Sequence, residues 1–210
     1  MNNPSMNSMT NKLPDMLDLA FDVSGATPPA NYPFALWAAL IDLAPLLAEE
    51  ESAGVLPLRL PEHAAELLPK RAKLTLRIPS ALTEELTVAL SGTQLDLENG
   101  PLQLGMGRPR AITAYPTIHA HHVASDEDEP AFMDGVRAQL DQMRIACNLI
   151  CGMRHRIGDE TRSIGGYSLV IHDLKSDASL KLQYAGLGES RQYGCGIFVP
   201  YKVISGLNDD

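Results

Sequence analysis

The sequence has too few cysteines for a domain held together by disulfide bonds. Its 210 residues include three, Cys147, Cys151 and Cys195, whereas disulfide-stabilised domains usually carry a larger and even number. We therefore expect a reducing compartment and a cytoplasmic protein. The C-x-x-x-C spacing of Cys147 and Cys151 matches no common zinc site. We interpret both as small buried thiols and expect no metal ion or other cofactor.

Long apolar runs are also missing. No stretch approaches ~18 consecutive uncharged apolar residues, the length that a membrane-spanning helix needs, so we expect no membrane partner. Residues 1–16 are polar and hold no apolar run, which argues against a secretory signal. Apolar residues still make up 45% of the chain and charged residues 20%, a balance typical of a globular protein with a substantial core.

Basic residues are in the minority, yet they are unevenly distributed. The chain has 17 Lys and Arg against 26 Asp and Glu, a net charge of −9, which at first argues against nucleic acid as a partner. Residues 67–110 hold six basic and four acidic side chains, and residues 144–202 hold eight and five. Affinity for a polyanion depends on the local basic face. Because uneven surfaces are also common without such a partner, charge alone leaves both interpretations open.

The apolar pattern repeats in the two halves of the chain. The first half shows strand and helix patterns in this order: strand 17–23, helix 34–47 kinked by Pro45, strands 55–60 and 73–78, helix 81–90, strand material 94–104. The second half shows strand 117–123, a helix after the acidic stretch 125–129, strands 148–151 and 166–172 around a basic hairpin, helix 177–185 and strand 197–201. Each half has the order β-α-β-β-α-β.

This order predicts an α+β fold with two tandem ferredoxin-like domains. Residues 1–16 form a flexible N-terminus, residues 17–106 the first domain, and residues 107–210 the second domain with a glycine-rich loop. Helices on one face of each antiparallel sheet would leave the other face free for a partner.

The strongest motif is the segment 186–196, GLGESRQYGCG, in which two G-x-G units flank a basic and aromatic centre. Glycine allows backbone N–H groups to approach a phosphate, so Gly186, Gly188, Gly194 and Gly196 are candidate phosphate-binding residues. The segment follows a helix and precedes a strand, unlike a dinucleotide-binding loop. It also lacks the Lys and Ser/Thr of a P-loop. The alternative is a tight turn that requires flexible residues.

This loop resembles that of the Cas6 family, the endoribonucleases of the RAMP superfamily that cut precursor CRISPR RNA at its repeats. Further segments are similar to Myxan-subtype members of the family: 17–27, 34–40, 149–152, 168–174 and 194–202. The resemblance covers most of the chain beyond residue 16. It implies two ferredoxin-like domains, metal-independent attack of a ribose 2′-OH on the neighbouring phosphate, and an enzyme that binds the CRISPR repeat stem-loop and stays in an effector complex with other subunits.

The catalytic histidine that many relatives carry on the first helix is missing, because no His lies between Met1 and Glu62. Tyr32, at the start of that helix, is the candidate there, although an amphipathic ring at a helix start explains it equally well. His119 and His121 share one face of a strand ~7 Å apart, with His122 on the other face. We expect His121, then His119, to act as acid or base. A metal-binding pair lacks a third ligand, and a partly buried structural histidine is the alternative for each.

Several basic residues are candidate RNA-binding residues. Arg154, His155, Arg156 and Arg162 lie in the predicted hairpin, Arg108 and Arg110 in a predicted loop between the halves, and Arg191 in the glycine-rich loop, where it would stabilise the transition state. Because acidic residues share the hairpin, a solvated loop is the alternative there. The missing first-helix histidine keeps a second hypothesis open, a non-catalytic RAMP subunit that only binds CRISPR RNA. A third, a small-molecule or nucleotide-binding ferredoxin-like protein, leaves the glycine loop unexplained.

Overall fold

The computed structural model describes residues 14–29, 31–60 and 67–201. The first half of the chain contains six strands and three α-helices: β1 Met16–Gly25, α1 Tyr32–Leu43, α2 Leu46–Glu49, β2 Gly54–Val55, β3 Lys73–Pro79, α3 Thr83–Leu90, β4 Gln94–Leu97, β5 Gly100–Leu104 and β6 Arg108–Ala111. The second half contains four strands and two helices: β7 Ile118–Ala124, α4 Glu129–Gln142, β8 Asn148–Gly158, β9 Ser163–His172, α5 Ser176–Ala185 and β10 Val199–Pro200.

The strands form two antiparallel sheets. The first has the order β2-β3-β1-β5-β4, with β6 also paired to β1, and the second has the order β10-β7-β9-β8. In each sheet the first and third strands of a β-α-β-β-α-β unit are central neighbours. This is the ferredoxin-like order, so the prediction of an α+β fold with two such units is confirmed. Each sheet has its own apolar core.

Local sequence signals explain where the helices begin and end. Pro33 opens α1, and α1 stops at Leu43 before Pro45, because proline has no N–H to continue the hydrogen-bond ladder. The side chain of Asp128 accepts a hydrogen bond from the backbone N–H of Ala131 at the start of α4, which is the usual role of an N-cap aspartate. In the described ranges no helix is both long and apolar enough to cross a membrane.

Two predicted strands are much shorter than the pattern suggested. The strand predicted at 55–60 is limited to Gly54–Val55, and the one predicted at 197–201 to Val199–Pro200. A proline follows or ends each of them, at Pro57 and Pro200, and proline cannot donate to a strand ladder.

Two segments that were predicted as loops belong to strands. The strands around the basic hairpin extend to Gly158 and begin at Ser163, so Arg154, His155 and Arg156 lie in β8 and not in its loop. Arg108 and Arg110 lie in β6, paired with Leu17–Ala20 of the first sheet, and not in a loop between the halves. The domain division at residue 106 stays a prediction.

A buried arginine connects the two halves. Arg77 of β3 is 1% exposed and makes two hydrogen bonds, of 2.8 and 3.0 Å, to the carboxylate of Asp18 on β1. Its Nη1 donates to the backbone carbonyl oxygens of Gln183 and Phe198 in the second half, at 3.1 and 2.6 Å. Arg77, one of the six basic residues of the segment 67–110, is therefore buried and does not belong to a basic surface.

Candidate active site

A pocket of about 270 Å³ lies where α1, β7, β8 and the glycine-rich loop meet. It is lined by residues from both halves of the chain: Tyr32, Pro33, Pro57, His121, His122, His155, Arg156, Ile157, Gly158, Tyr193 and Gly194. Two of the three predicted catalytic residues, Tyr32 and His121, thus line the same pocket. His119 does not line it.

Two β-bulges shape the wall formed by the second sheet. One extra residue interrupts β7 between Ala120 and Val123, and another interrupts β8 between Cys151 and Arg154. Both lie opposite Ser168 of β9, the strand between them. A bulge turns the following side chains relative to a regular strand. As a result the expected alternation of β7 is corrected: His121 and His122 both face the pocket.

The rings of His119 and His121 converge, with 3.4 Å between their Nε2 atoms. Burial lowers the pKa of both imidazoles, and the positive charge of Arg59 lowers them further. Both rings are therefore mainly neutral at pH 7, and at most one proton can be shared between the facing nitrogens. The ring of Tyr201 packs against the other side of His119, at 5.2 Å between centroids. Arg59 was not identified from the sequence, because a single arginine in an irregular segment carries no motif.

A second histidine pair forms the deeper part of the same wall. Nδ1 of His122 lies 3.0 Å from Nε2 of His155. The two residues sit on either side of β9, and their rings meet beside Gly166, where a Cβ atom would come within 2.8 Å of His122 Nε2. Burial, followed by the charge of His155, lowers the pKa of His122 to about 4. His122 is therefore a neutral imidazole at physiological pH, and the sequence analysis assigned it no role.

Tyr32 forms part of the opposite wall. Its hydroxyl oxygen accepts a hydrogen bond from the backbone N–H of Leu58 at 3.1 Å, and burial raises the pKa of the phenol. The hydroxyl therefore keeps its proton at neutral pH and is free to donate it in a hydrogen bond to a ligand oxygen.

Arg162 fastens the β8–β9 hairpin to the rest of the site. Its guanidinium carbon lies 4.2 Å from the ring centre of Phe34 on α1 and 5.0 Å from that of Tyr193 in the glycine-rich loop. Nη2 also donates to the Tyr193 hydroxyl at 2.8 Å. The guanidinium of Arg162 thus contacts both aromatic rings and the Tyr193 hydroxyl. Its predicted contact with RNA stays a prediction.

The glycine-rich loop is packed against the protein more tightly than the sequence suggested. Gly186, Gly194 and Gly196 are buried and have positive φ, and a Cβ on Gly196 would approach the carbonyl oxygen of Leu187 within 1.9 Å. The tight-turn interpretation therefore accounts for these three glycines without a ligand. Gly188 is exposed.

The position of Arg191 corrects the prediction that the loop presents it to a phosphate. The residue is 7% exposed, and its Nη1 donates to the carbonyl oxygen of Ala185 at 2.7 Å. Burial, then the nearby charge of Arg77, lowers the pKa of Arg191 to about 10. The guanidinium remains charged at pH 7, but it points into the protein.

The other predicted basic residues are exposed. Arg154 donates to the carbonyl oxygen of Asp126 at 3.0 Å, and Arg156 donates to the Ser163 hydroxyl at 3.1 Å. Arg108 forms an ion pair with Asp22 at 3.1 Å. Asp22 also accepts from Lys73, and that hydrogen bond lowers the pKa of its carboxyl group. Each of these arginines keeps further donors available to solvent or to a phosphate.

In the part of the chain that the structure describes, no three or more His, Cys, Asp or Glu side chains converge to hold a metal ion. The pocket contains imidazoles, two of which are paired with each other at hydrogen-bonding distance, and the phenol of Tyr32. These are groups that general acid–base catalysis uses near neutral pH.

Two ferredoxin-like units with a histidine-lined pocket at their junction define a RAMP-type fold. The Cas6 family model, described as Cas6 Crispr, matches residues 17–203. The chain is 30% identical over 187 residues to the CRISPR-associated endonuclease Cas6 of Myxococcus xanthus (strain DK1622), covering 88% of this chain and 81% of that protein. The chain belongs to the Cas6 family, as its glycine-rich loop predicted.

Solved structures agree with this assignment at the level of the fold. A CRISPR-associated protein Cas6 superposes with a TM-score of 0.61 and 10% identity, covering 89% of this chain and all of that one (100%). A Cas6-related protein from Pyrococcus furiosus gives a TM-score of 0.62 and 12% identity over 88% of this chain and 98% of its own.

Proposed function

We propose that the protein is an endoribonuclease that binds the repeat hairpin of precursor CRISPR RNA and cleaves it without a metal ion. The ribose 2′-OH attacks the adjacent phosphorus, leaving a 2′,3′-cyclic phosphate on one product and a 5′-OH on the other. Membership of the Cas6 family supports this proposal, as does the 30% identical relative that is named an endonuclease. The observation that carries it is the pocket that His121 and Tyr32 line from the two halves of the chain.

The roles of these residues follow from their protonation states. His121 is mainly neutral at pH 7, because burial and Arg59 lower its pKa, and a neutral imidazole can take the proton of the 2′-OH. His119 holds the ring of His121 through the contact between their Nε2 atoms and is the candidate for the second proton-transfer role. The Tyr32 hydroxyl donates to a phosphate oxygen. Arg156, in the pocket wall, supplies positive charge to the phosphorane.

Exposed arginines around the pocket are suited to the RNA itself. Arg154 and Arg156 extend along β8, which is the edge strand of the second sheet, and Arg108 and Arg110 extend along β6. Proteins hold structured RNA mainly through phosphate and ribose contacts. We propose that these residues bind the repeat stem, and that the enzyme keeps the product and joins other CRISPR subunits in an effector complex.

The test is incubation of the protein with its cognate repeat RNA in EDTA, followed by mapping of both product ends. We expect cleavage at one position, with a cyclic phosphate on the upstream fragment. A strict requirement for Mg²⁺ together with a 3′-OH product would contradict the proposal.

The missing first-helix histidine favours a second candidate function, a RAMP subunit that binds CRISPR RNA without cutting it. The same incubation separates the two. Tight binding of the repeat with no cleavage under any condition would support the second candidate.

A further inference from the structure

We propose that His155, which lines the pocket where His119 does not, takes the second proton-transfer role in place of His119 as the general acid of the cleavage reaction, and that His122 is the positioning residue that holds its ring. This inference rests on the proposed function and adds to it a residue that the sequence marked only as basic and RNA-facing. His155 lines the same pocket as His121 and would then supply the proton that the leaving group needs.

The first line of evidence is the hydrogen-bonding environment of the His155 ring. Nδ1 of His155 lies 3.3 Å from the carbonyl oxygen of Met153, and Nε2 lies 3.0 Å from Nδ1 of His122. A carbonyl oxygen can only accept, so His155 Nδ1 carries a proton in this arrangement. Whether Nε2 also carries one depends on the tautomer of His122.

The surroundings of His122 bear on that tautomer. The residue is 2% exposed, and the backbone carbonyl groups of Gly165 and Ile164 lie beside its ring, while Nε2 makes no hydrogen bond with the described residues. Carbonyl oxygens near the ring favour hydrogen on Nε2, the nitrogen that does not face His155, and leave Nδ1 of His122 as the acceptor. In the proposed arrangement Nε2 of His155 donates to it, so that the ring of His155 carries hydrogen on both nitrogens when it acts as an acid.

The backbone is built to make this contact. His155 pairs with Gly166 of β9, and His122 lies on the far side of the same strand. Any side chain at Gly166 would collide with the His122 ring. The two bulges opposite Ser168 turn both flanking strands at this point. A ring oriented by a buried neighbour loses little freedom when substrate binds, which is what a proton donor in a fixed position requires.

The proton balance of the reaction closes with these two residues. His121 accepts the proton of the 2′-OH while the bond from that oxygen to phosphorus forms. The bond from phosphorus to the 5′ oxygen breaks, and that oxygen takes the Nδ1 proton of His155. The contact of Nδ1 with Met153 is at the long end of the hydrogen-bond range, so the leaving oxygen can replace it. Exchange with water then restores both histidines.

The experiment compares two RNA substrates in single-turnover cleavage at saturating protein. One is the normal repeat RNA, and the other has sulfur in place of the bridging 5′ oxygen, because a thiolate leaves without a proton. For His155→Ala we expect a loss of about 10²–10⁴-fold on the oxygen substrate and near wild-type cleavage of the sulfur substrate. His121→Ala, the matched control, should remain slow on both substrates.

The positioning role of His122 is tested in the same assay. His122→Leu should behave like His155→Ala, slow on oxygen and recovered on sulfur, whereas His122→Asn keeps an acceptor and should restore much of the rate. Independently of activity, a long-range ¹H–¹⁵N spectrum of the wild-type protein should show hydrogen on Nε2 of His155.

The results that would contradict the inference differ from those that would contradict the proposed function. Equal slowing of His155→Ala on both substrates, or a bare Nε2 in the spectrum, would overturn the inference and leave the proposed function standing. Wild-type protein that cuts neither substrate would overturn both.

Discussion

At the scale of single residues, burial sets the protonation of the imidazoles and so divides their work. Burial and the charge of Arg59 lower the pKa values of His119 and His121, which keeps both available as proton acceptors. His122 is fully enclosed, and its pKa of about 4 makes it a hydrogen-bonding partner and not a titrating group near neutral pH.

The first prediction concerns the base. His121→Ala should slow single-turnover cleavage of repeat RNA by about 10²–10⁴-fold, the usual contribution of a general base, with little change in RNA affinity. His119→Ala tests the second role at the neighbouring ring, and Tyr32→Phe tests the hydroxyl on α1. Wild-type cleavage by His121→Ala together with an inactive Tyr32→Phe would place the chemistry on α1.

The second prediction concerns pH. The base must be deprotonated, so the cleavage rate should rise with pH through the lowered pKa of His121. Arg59 contributes to that lowering, and its removal makes protonation of His121 easier. In Arg59→Gln the rising limb of the pH–rate profile should therefore move to higher pH. Arg108→Gln, an exposed arginine paired with Asp22, is the matched control and should leave the limb in place.

At the scale of the elements, the β8–β9 hairpin combines two kinds of arginine. Arg154 and Arg156 lie along the exposed strand, while Arg162 at the end of the hairpin stacks on Phe34 and Tyr193. The first two can reach a phosphate, and the third holds the hairpin against α1 and the glycine-rich loop.

The third prediction follows from this division. Arg154→Ala and Arg156→Ala should each weaken repeat RNA binding and reduce the slope of log K against log salt by about one, the effect of one lost phosphate contact. Binding is measured at several salt concentrations.

Arg162→Ala serves as the comparison for these two variants. It should change the salt slope less and should increase hydrogen exchange across residues 158–163, because the stack and the hydrogen bond to Tyr193 are lost. An unchanged affinity and slope in the Arg154 and Arg156 double variant would remove β8 from the RNA interface.

Most elements could be predicted from the sequence, because apolar residues at periods of 2 and 3.6 mark strands such as β1 and helices such as α4. The bulges could not, since one extra residue in β7 leaves its apolar pattern almost intact. The burial of Arg77 and Arg191 was equally hidden, because arginine is mostly exposed and only its partners in space reveal the exception. For the pocket, sequence analysis singled out Tyr32 and His121, which both line it, and their catalytic roles stay predictions. The contact of His122 with His155 could not be predicted, because it joins β7 to β8 across β9, which lies between them.

At the scale of the whole molecule, the two halves act as one unit because a buried charge joins them. Arg77 is paired with Asp18 on its own sheet and donates to two carbonyl groups of the second half. Tyr32 and His121 come from different halves, so the pocket exists only while the halves are docked.

The fourth prediction tests this connection. Arg77→Ala leaves the Asp18 carboxylate without its partner and should lower the free energy of unfolding by about 3–5 kcal/mol, as when one member of a buried pair is removed. Urea denaturation measures the loss and should show a less cooperative transition. Lys73→Ala removes a partly exposed partner of Asp22 and should leave the free energy of unfolding close to that of the wild type, as is usual for a surface ion pair. Equal values for the two variants would contradict the role of Arg77.

The bulges of β7 and β8 have a consequence for how such a site can be lost. The stretch between Ala120 and Val123 consists of His121 and His122 alone, and one of them is the extra residue of the bulge. Shortening β7 by one residue at this point would give it an uninterrupted ladder with β9 and would remove one of the three imidazoles that line the pocket. A more regular strand would therefore have a poorer site, because the irregularity of β7 lets two adjacent histidines reach the same pocket.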